Sequence, residues 1–271
     1  MHRWMSITIM AMVVATAAIA QDVRLKRLDT LNQGQEWDAV GRLDLAGTGF
    51  CTGALIAPNL VLTAAHCLFD RRSGQRIDQN EIEFLAGWRN GRASAYRKVR
   101  RAVVHPAYSY QNDVDSERVR NDLALLELRQ PVRSGGIRPF GTTARPNKGD
   151  AVGVVSYAKD RSEAPSLQEV CRVLARQQGV LVTSCNVDFG SSGAPIFVFK
   201  DGKAHIVSVV SAKAEADGRN VSLGTSLQEP LAVLYAALAA GEGHAPAAKP
   251  TQRTVSAGVR SGDSGAKFVK P

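Results

Sequence analysis

Three short runs in this chain of 271 residues carry side chains that could cooperate in acyl transfer to a serine. That chemistry needs a base beside a hydroxyl, a carboxylate that orients the base, and backbone N–H groups aimed at a developing oxyanion. The base candidate is His66, in Leu62-Thr63-Ala64-Ala65-His66-Cys67, where an apolar strand delivers the imidazole to a turn. Cys67 can bolt that turn to Cys51 on the neighbouring strand. The other histidines are worse placed: His2 and His244 lie near the ends, His105 precedes Pro106 at a strand end, and His205 opens a strand. The carboxylate candidate is Asp122, in Asn121-Asp122-Leu123-Ala124-Leu125-Leu126, where a polar loop enters a buried strand. Asp113 and Asp115 lie well inside that loop with nothing to bury them.

The nucleophile candidate is Ser192, in Phe189-Gly190-Ser191-Ser192-Gly193-Ala194-Pro195-Ile196. Glycines permit a tight turn whose N–H groups converge on one point, so the N–H groups of Gly190 and Ser192 are the expected oxyanion hole. Ser191 is the alternative nucleophile, but Ser192, directly before Gly193, is better placed. Gly262-Asp263-Ser264-Gly265 spells a similar signature near the end of the chain. It has no strand after it and no scaffold, and is set aside.

Positioning these groups falls to many short β-like runs with turn residues between them. Strands are expected near Val40–Leu45, Phe50–Ile56, Leu60–Ala64, Ile82–Ala86, Tyr96–Val104 and Leu123–Leu128, the last after a polar loop from Ser109 to Asn121. Residues 130–150, rich in Pro, Gly and Arg, divide the chain into halves covering 37–130 and 131–240. The second half is expected to form strands near Ala151–Tyr157, Cys171–Leu174, Val180–Thr183, Ala194–Phe199, His205–Ser211 and Val221–Ser226. Leu231, Leu234, Tyr235 and Leu238 fall at helical spacing within Gln228–Ala239. Spaced strands with few helices point to an all-β sandwich or barrel rather than alternating βαβ units.

The termini differ in kind. Arg3, an apolar run from Met5 to Ala18 and the small residues Ala18-Ile19-Ala20 spell a secretory leader over 1–20. The run is short of the ~20 residues that span a bilayer, so export without an integral membrane span is expected. Residues 21–36 read as a propeptide or N-terminal arm, with Lys26-Arg27 as a possible processing site before Leu28. Residues 241–271 are poor in large apolar side chains and read as a disordered basic tail, which could associate with the cell envelope. The four cysteines fall into two close pairs, Cys51 with Cys67 and Cys171 with Cys185. No C-x-x-C knuckle suggests a metal. In an oxidising space they read as two disulfides, each able to contribute up to ~3 kcal/mol. Net charge is +9. The charge is scattered, without interleaved aromatics, and reads as a solvated basic surface rather than a nucleic-acid site.

Together these runs resemble the trypsin/chymotrypsin family. Cys51-Thr52-Gly53-Ala54-Leu55-Ile56 with Val61-Leu62-Thr63-Ala64-Ala65-His66-Cys67 is similar to its histidine block. Asn121-Asp122-Leu123-Ala124-Leu125 is similar to its aspartate block, and Gly190-Ser191-Ser192-Gly193-Ala194-Pro195 to its serine block, in the family's order. Trp37 before the first strand also fits, and the match covers roughly residues 37 to 240. The resemblance implies two antiparallel six-stranded β-barrels (chymotrypsin-like), a C-terminal helix, and a triad of His66, Asp122 and Ser192 in the cleft between the barrels. It implies a monomeric serine endopeptidase acting on peptides or proteins, without a cofactor.

The departures are informative. Ser191 stands where most animal members have an aspartate that pairs with a new N-terminal amine after activation. The serine block and the Cys171–Cys185 pair look closer to the bacterial glutamyl-endopeptidase-like branch, yet Val210 stands where that branch has a pocket histidine. Asn186 stands where trypsin's pocket has an aspartate. Ser211 takes the place of a strand serine that contacts substrate backbone, and Ala212 and Lys213 would flank the pocket. The alternative on the same fold is a catalytically inactive binding protein of the cell exterior.

Overall fold

A computed structural model describes residues 25–110, 114–133, 135–216 and 218–244. The expected leader at 1–20 lies outside the described residues, as does the tail beyond His244.

Six antiparallel strands close the first barrel: β1 (Val40–Leu45), β2 (Phe50–Ala57), β3 (Leu60–Thr63), β4 (Ile82–Ala86), β5 (Ala95–Val104) and β6 (Ala124–Leu128). Their order around the barrel is β1-β2-β3-β6-β5-β4, and the pairing of Leu43 with Phe84 helps close the ring. Alternation along these strands turns Leu43, Leu55, Phe84 and Leu125 inward, all essentially buried.

The second barrel holds β7 (Ala151–Ser156), β8 (Ser166–Gln177), β9 (Val180–Thr183), β10 (Pro195–Lys200), β11 (Lys203–Ala216) and β12 (Arg219–Ser226). The order is β7-β8-β9-β12-β11-β10, and β10 returns to β7 through Ile196 and Val154. The two barrels thus repeat one winding. Val152, Val154, Leu181 and Ile196 belong to a separate cluster inside the second barrel. Residues Gly141–Thr142, between the halves, add a short parallel strand beside β11.

Aromatic and helical packing joins the barrels. The Trp37 ring lies 5.2 Å from Phe197 of β10 and 5.9 Å from Phe140. Two helices cross the seam. Helix α1 (Ser116–Asn121) precedes β6, inside the loop expected to be irregular. Its last turn is held by Thr225 of β12, whose hydroxyl donates to the Val119 carbonyl at 2.6 Å. Helix α2 (Gln228–Ala239) belongs to the second half but lies against the first barrel, where Arg101 donates to the Leu238 carbonyl. A guanidinium there also favours the negative end of the helix dipole.

The N-terminal arm is docked backbone. Lys26 and Arg27 pair with Leu167 and Ser166 of β8, and Leu28 is buried. The buried Arg89 guanidinium donates to the carbonyls of Leu28 and Gly34 and pairs with Asp38 at 2.6 Å. The dibasic pair is therefore a paired strand rather than a loose polar segment.

Candidate active site

His66 sits in a single helical turn, Ala65–Leu68, directly after β3. The disulfide of the adjacent Cys67 to Cys51 on β2, with 6.2 Å between the Cα atoms, braces this turn. Cys171 and Cys185 form the second disulfide, beside the serine loop.

Asp122 follows α1 directly and is fully buried. Its Oδ1 accepts the His66 backbone N–H at 2.8 Å, and its Oδ2 lies 2.7 Å from His66 Nδ1. The Ser211 hydroxyl, reaching across from β11, also donates to Oδ2. Burial alone would push this carboxyl up. The His66 charge and these three donors outweigh burial and hold it below the usual carboxylate range. An ionised carboxylate only accepts, so Nδ1 carries a proton, and in the neutral imidazole Nε2 then has a free lone pair. Nearby, Tyr108 is pushed well above the ordinary phenol range, first by burial and then by the charge of Asp122.

Ser192 is half-buried and lines two cavities together with His66. One, of about 590 Å³, runs beside the Cys51–Cys67 bridge; the other, of about 550 Å³, runs along Val210, Ser211 and Lys213. Ser191 is buried instead, its hydroxyl donating to Ser156 Oγ at 3.1 Å and to the Tyr157 carbonyl at 3.2 Å. Asn186 is exposed and outside the lining of both cavities, and its backbone N–H is held by Gln168.

The loop's backbone is tied from both sides. Gly190 has φ +97° and Gly193 has φ +78°, values that side chains rarely tolerate. The Phe189 carbonyl accepts the Lys159 N–H at 2.7 Å, and the Ser191 carbonyl accepts the Ala194 N–H at 2.9 Å. In trans peptides N–H and C=O point oppositely, so the Gly190 and Ser192 N–H groups turn away from those partners. Among the described residues, neither has a protein acceptor.

Thr52, quoted above only as part of a block, holds much of this loop. Its N–H donates to the Ser192 carbonyl at 2.8 Å and its hydroxyl to the Gly190 carbonyl at 2.8 Å, while that hydroxyl accepts the Tyr157 N–H. A threonine in an apolar strand is ordinary β composition, so nothing local marks it out.

Among the described residues, one group has metal-ligand types close together, Cys51, His66 and Cys67. Both sulfurs are joined in the disulfide, and Nδ1 is committed to Asp122. Of the rival histidines, His105 sits at a turn and His205 in a strand. The His105 carbonyl accepts the Tyr108 N–H, and His205 pairs with Gly141.

Two like barrels, with a His–Asp pair and a glycine-bounded serine loop at their seam, make a chymotrypsin-like fold. The trypsin family profile matches residues 30–229, and the chain belongs to that family. It is 29% identical over 191 residues to a trypsin of Simulium vittatum, a match covering 59% of this chain and 69% of that one. Against human serine protease 56 it is 32% identical over 143 residues, 49% of this chain, and spans only 22% of that protein. Against a glutamyl endopeptidase of Bacillus licheniformis it is 23% identical, covering 63% of this chain and 52% of the relative. A solved structure of Glu endopeptidase in complex with MPD superposes with a TM-score of 0.66 at 16% identity, over 81% of this chain and 98% of that one. The likeness to the bacterial glutamyl-endopeptidase-like branch thus appears in both sequence and fold.

Proposed function

We propose that this chain is an exported serine endopeptidase that cleaves peptide bonds through an acyl-enzyme on Ser192. The observation that carries the reading is the buried Asp122 holding His66 Nδ1 while His66 and Ser192 line the same two cavities. In this reading His66 Nε2 takes the Ser192 proton as Oγ attacks the carbonyl, and then passes it to the leaving amine. Asp122 fixes the tautomer and stabilises the imidazolium. The N–H groups of Gly190 and Ser192 receive the oxyanion, where one such donor contributes about 10²–10³ in rate. Water then attacks the acyl ester by the same route. The acyl half of the substrate lies along Ser211–Lys213, and the leaving half lies beside the Cys51–Cys67 bridge. Two disulfides fit a protein that folds in an oxidising compartment.

A fluorophosphonate probe is expected to label Ser192 in the folded protein. Ser192→Ala is expected to abolish labelling, and His66→Ala to lower peptide turnover by about 10³-fold or more. Full turnover by Ser192→Ala, or labelling mapped to another residue, would sink the proposal.

A further inference from the structure

The cavity beside the Cys51–Cys67 bridge carries an unbalanced charge. Arg71, Arg72 and Lys159 line it, and Asp70 is its one acid. Asp70 is already committed within its own loop. Its Oδ1 accepts the Arg72 N–H at 3.0 Å, the Ser73 N–H at 2.8 Å and the Ser73 hydroxyl at 2.9 Å. Among the described residues no salt bridge joins Arg71, Arg72 or Lys159 to a carboxylate, and of the three only Arg72 feels the charge of Asp70. Arg71 lies over the Phe189 ring, 5.0 Å from its centroid, so its cation is carried across the cleft to the serine loop. Lys159 reaches the same loop by its backbone bond to Phe189, which leaves its ammonium free.

Arg71 also lines the other cavity, where Lys213 is accompanied by Asp188 and Arg118 is engaged with the hydroxyl of Tyr108 and the ring of Tyr110; Arg72 and Lys159 border the first cavity alone. Three cations against one acid leave this flank of the cleft positive, which raises the local concentration of anions and favours a negative ligand. We propose that the cleft selects peptides with acidic residues in the first two positions after the cleaved bond, an inference that rests on the peptidase reading above.

Two matched sets of fluorogenic peptides would test this, randomised before the bond and carrying Glu-Glu or Gln-Gln after it, with the cut site read by mass spectrometry. Glu-Glu peptides are expected to be cleaved with kcat/KM higher by about 1.5- to 5-fold per charge, an advantage that shrinks as salt shortens the Debye length. Arg72→Gln combined with Lys159→Gln should bring the Glu-Glu to Gln-Gln ratio toward one. A variant that is merely damaged would lower both rates and leave the ratio alone. Arg72→Glu, as a second variant, should shift preference toward Lys-Lys. A ratio of one in the unaltered protein, or a ratio indifferent to these substitutions, overturns the inference. If the protein labels with fluorophosphonate and cuts peptides without this preference, only the inference falls. If it neither labels nor cuts, the peptidase reading falls with it.

Discussion

The Asp122 carboxylate survives full burial because three donors converge on it, two from His66 and one from Ser211. Its proton affinity is lower folded than unfolded. Its stabilising contribution is therefore fully present above the unfolded value of 3.8 and is lost as pH falls through the lower folded value. Ser211→Ala removes one donor, raises the folded affinity for protons and moves that loss to higher pH. The variant is expected to be about 1.5–3 kcal/mol less stable at neutral pH, the usual worth of a hydrogen bond to a charge. Thermal unfolding between pH 6 and 2 should show its acid limb starting at higher pH than the parent's. Parallel curves would refute the linkage. The Ser211 bond was not legible in the sequence, because 89 residues separate its ends. What the sequence displayed was a serine where a substrate contact was expected.

At the scale of elements, apolar alternation was the readable part. Val40–Leu45, Ile82–Ala86 and Val180–Thr183 end where their patterns end, as does the helix Gln228–Ala239. Strand β8 spans Ser166–Gln177, although only Cys171–Leu174 stood out. A register shift between Gln168 and Cys171 breaks the two-residue period there. In β11 a shift between Val210 and Ala212 precedes an exposed polar continuation to Ala216. Helix α1 was hidden for another reason. Six residues are too few to show helical periodicity, and the helix is held mainly by tertiary bonds. Asp115, read only as a loop residue, caps it by accepting the Arg118 N–H at 2.7 Å. Helix α2 offers a prediction at this scale. Glu127 of β6 pairs with both Arg100 and Arg101, and Arg101 also holds the helix end at Leu238. Burial pushes the Glu127 carboxyl up, but the two arginines outweigh it and hold it below its usual range. Glu127→Gln is expected to cost about 1–3 kcal/mol, read as a lower urea midpoint. Amide exchange in 228–239 should rise with it, and unchanged protection there would count against a fastening role.

Across the whole molecule, two barrels of one winding must meet closely enough for a loop of the second to be shaped by strands of the first. Gly193 lies at a tight point of that meeting. A Cβ there would collide with the Thr63 hydroxyl and the Thr52 carbonyl, both from the first barrel, and its φ of +78° already disfavours a side chain. Gly193→Ala is expected to cost more than ~3 kcal/mol, as overpacking and strain add, and to reduce peptide turnover far more than a surface Gly218→Ala control. Equal melting temperatures for the two variants would show that the barrels can give way.

Ser191 stands, fully buried, where most animal members of the family have an aspartate. Its hydroxyl is satisfied inside its own barrel by Ser156 and Tyr157, at a place where an ammonium would otherwise have to be delivered from a freshly cut chain end. Whatever readies the serine loop therefore has to work without a carboxylate at position 191.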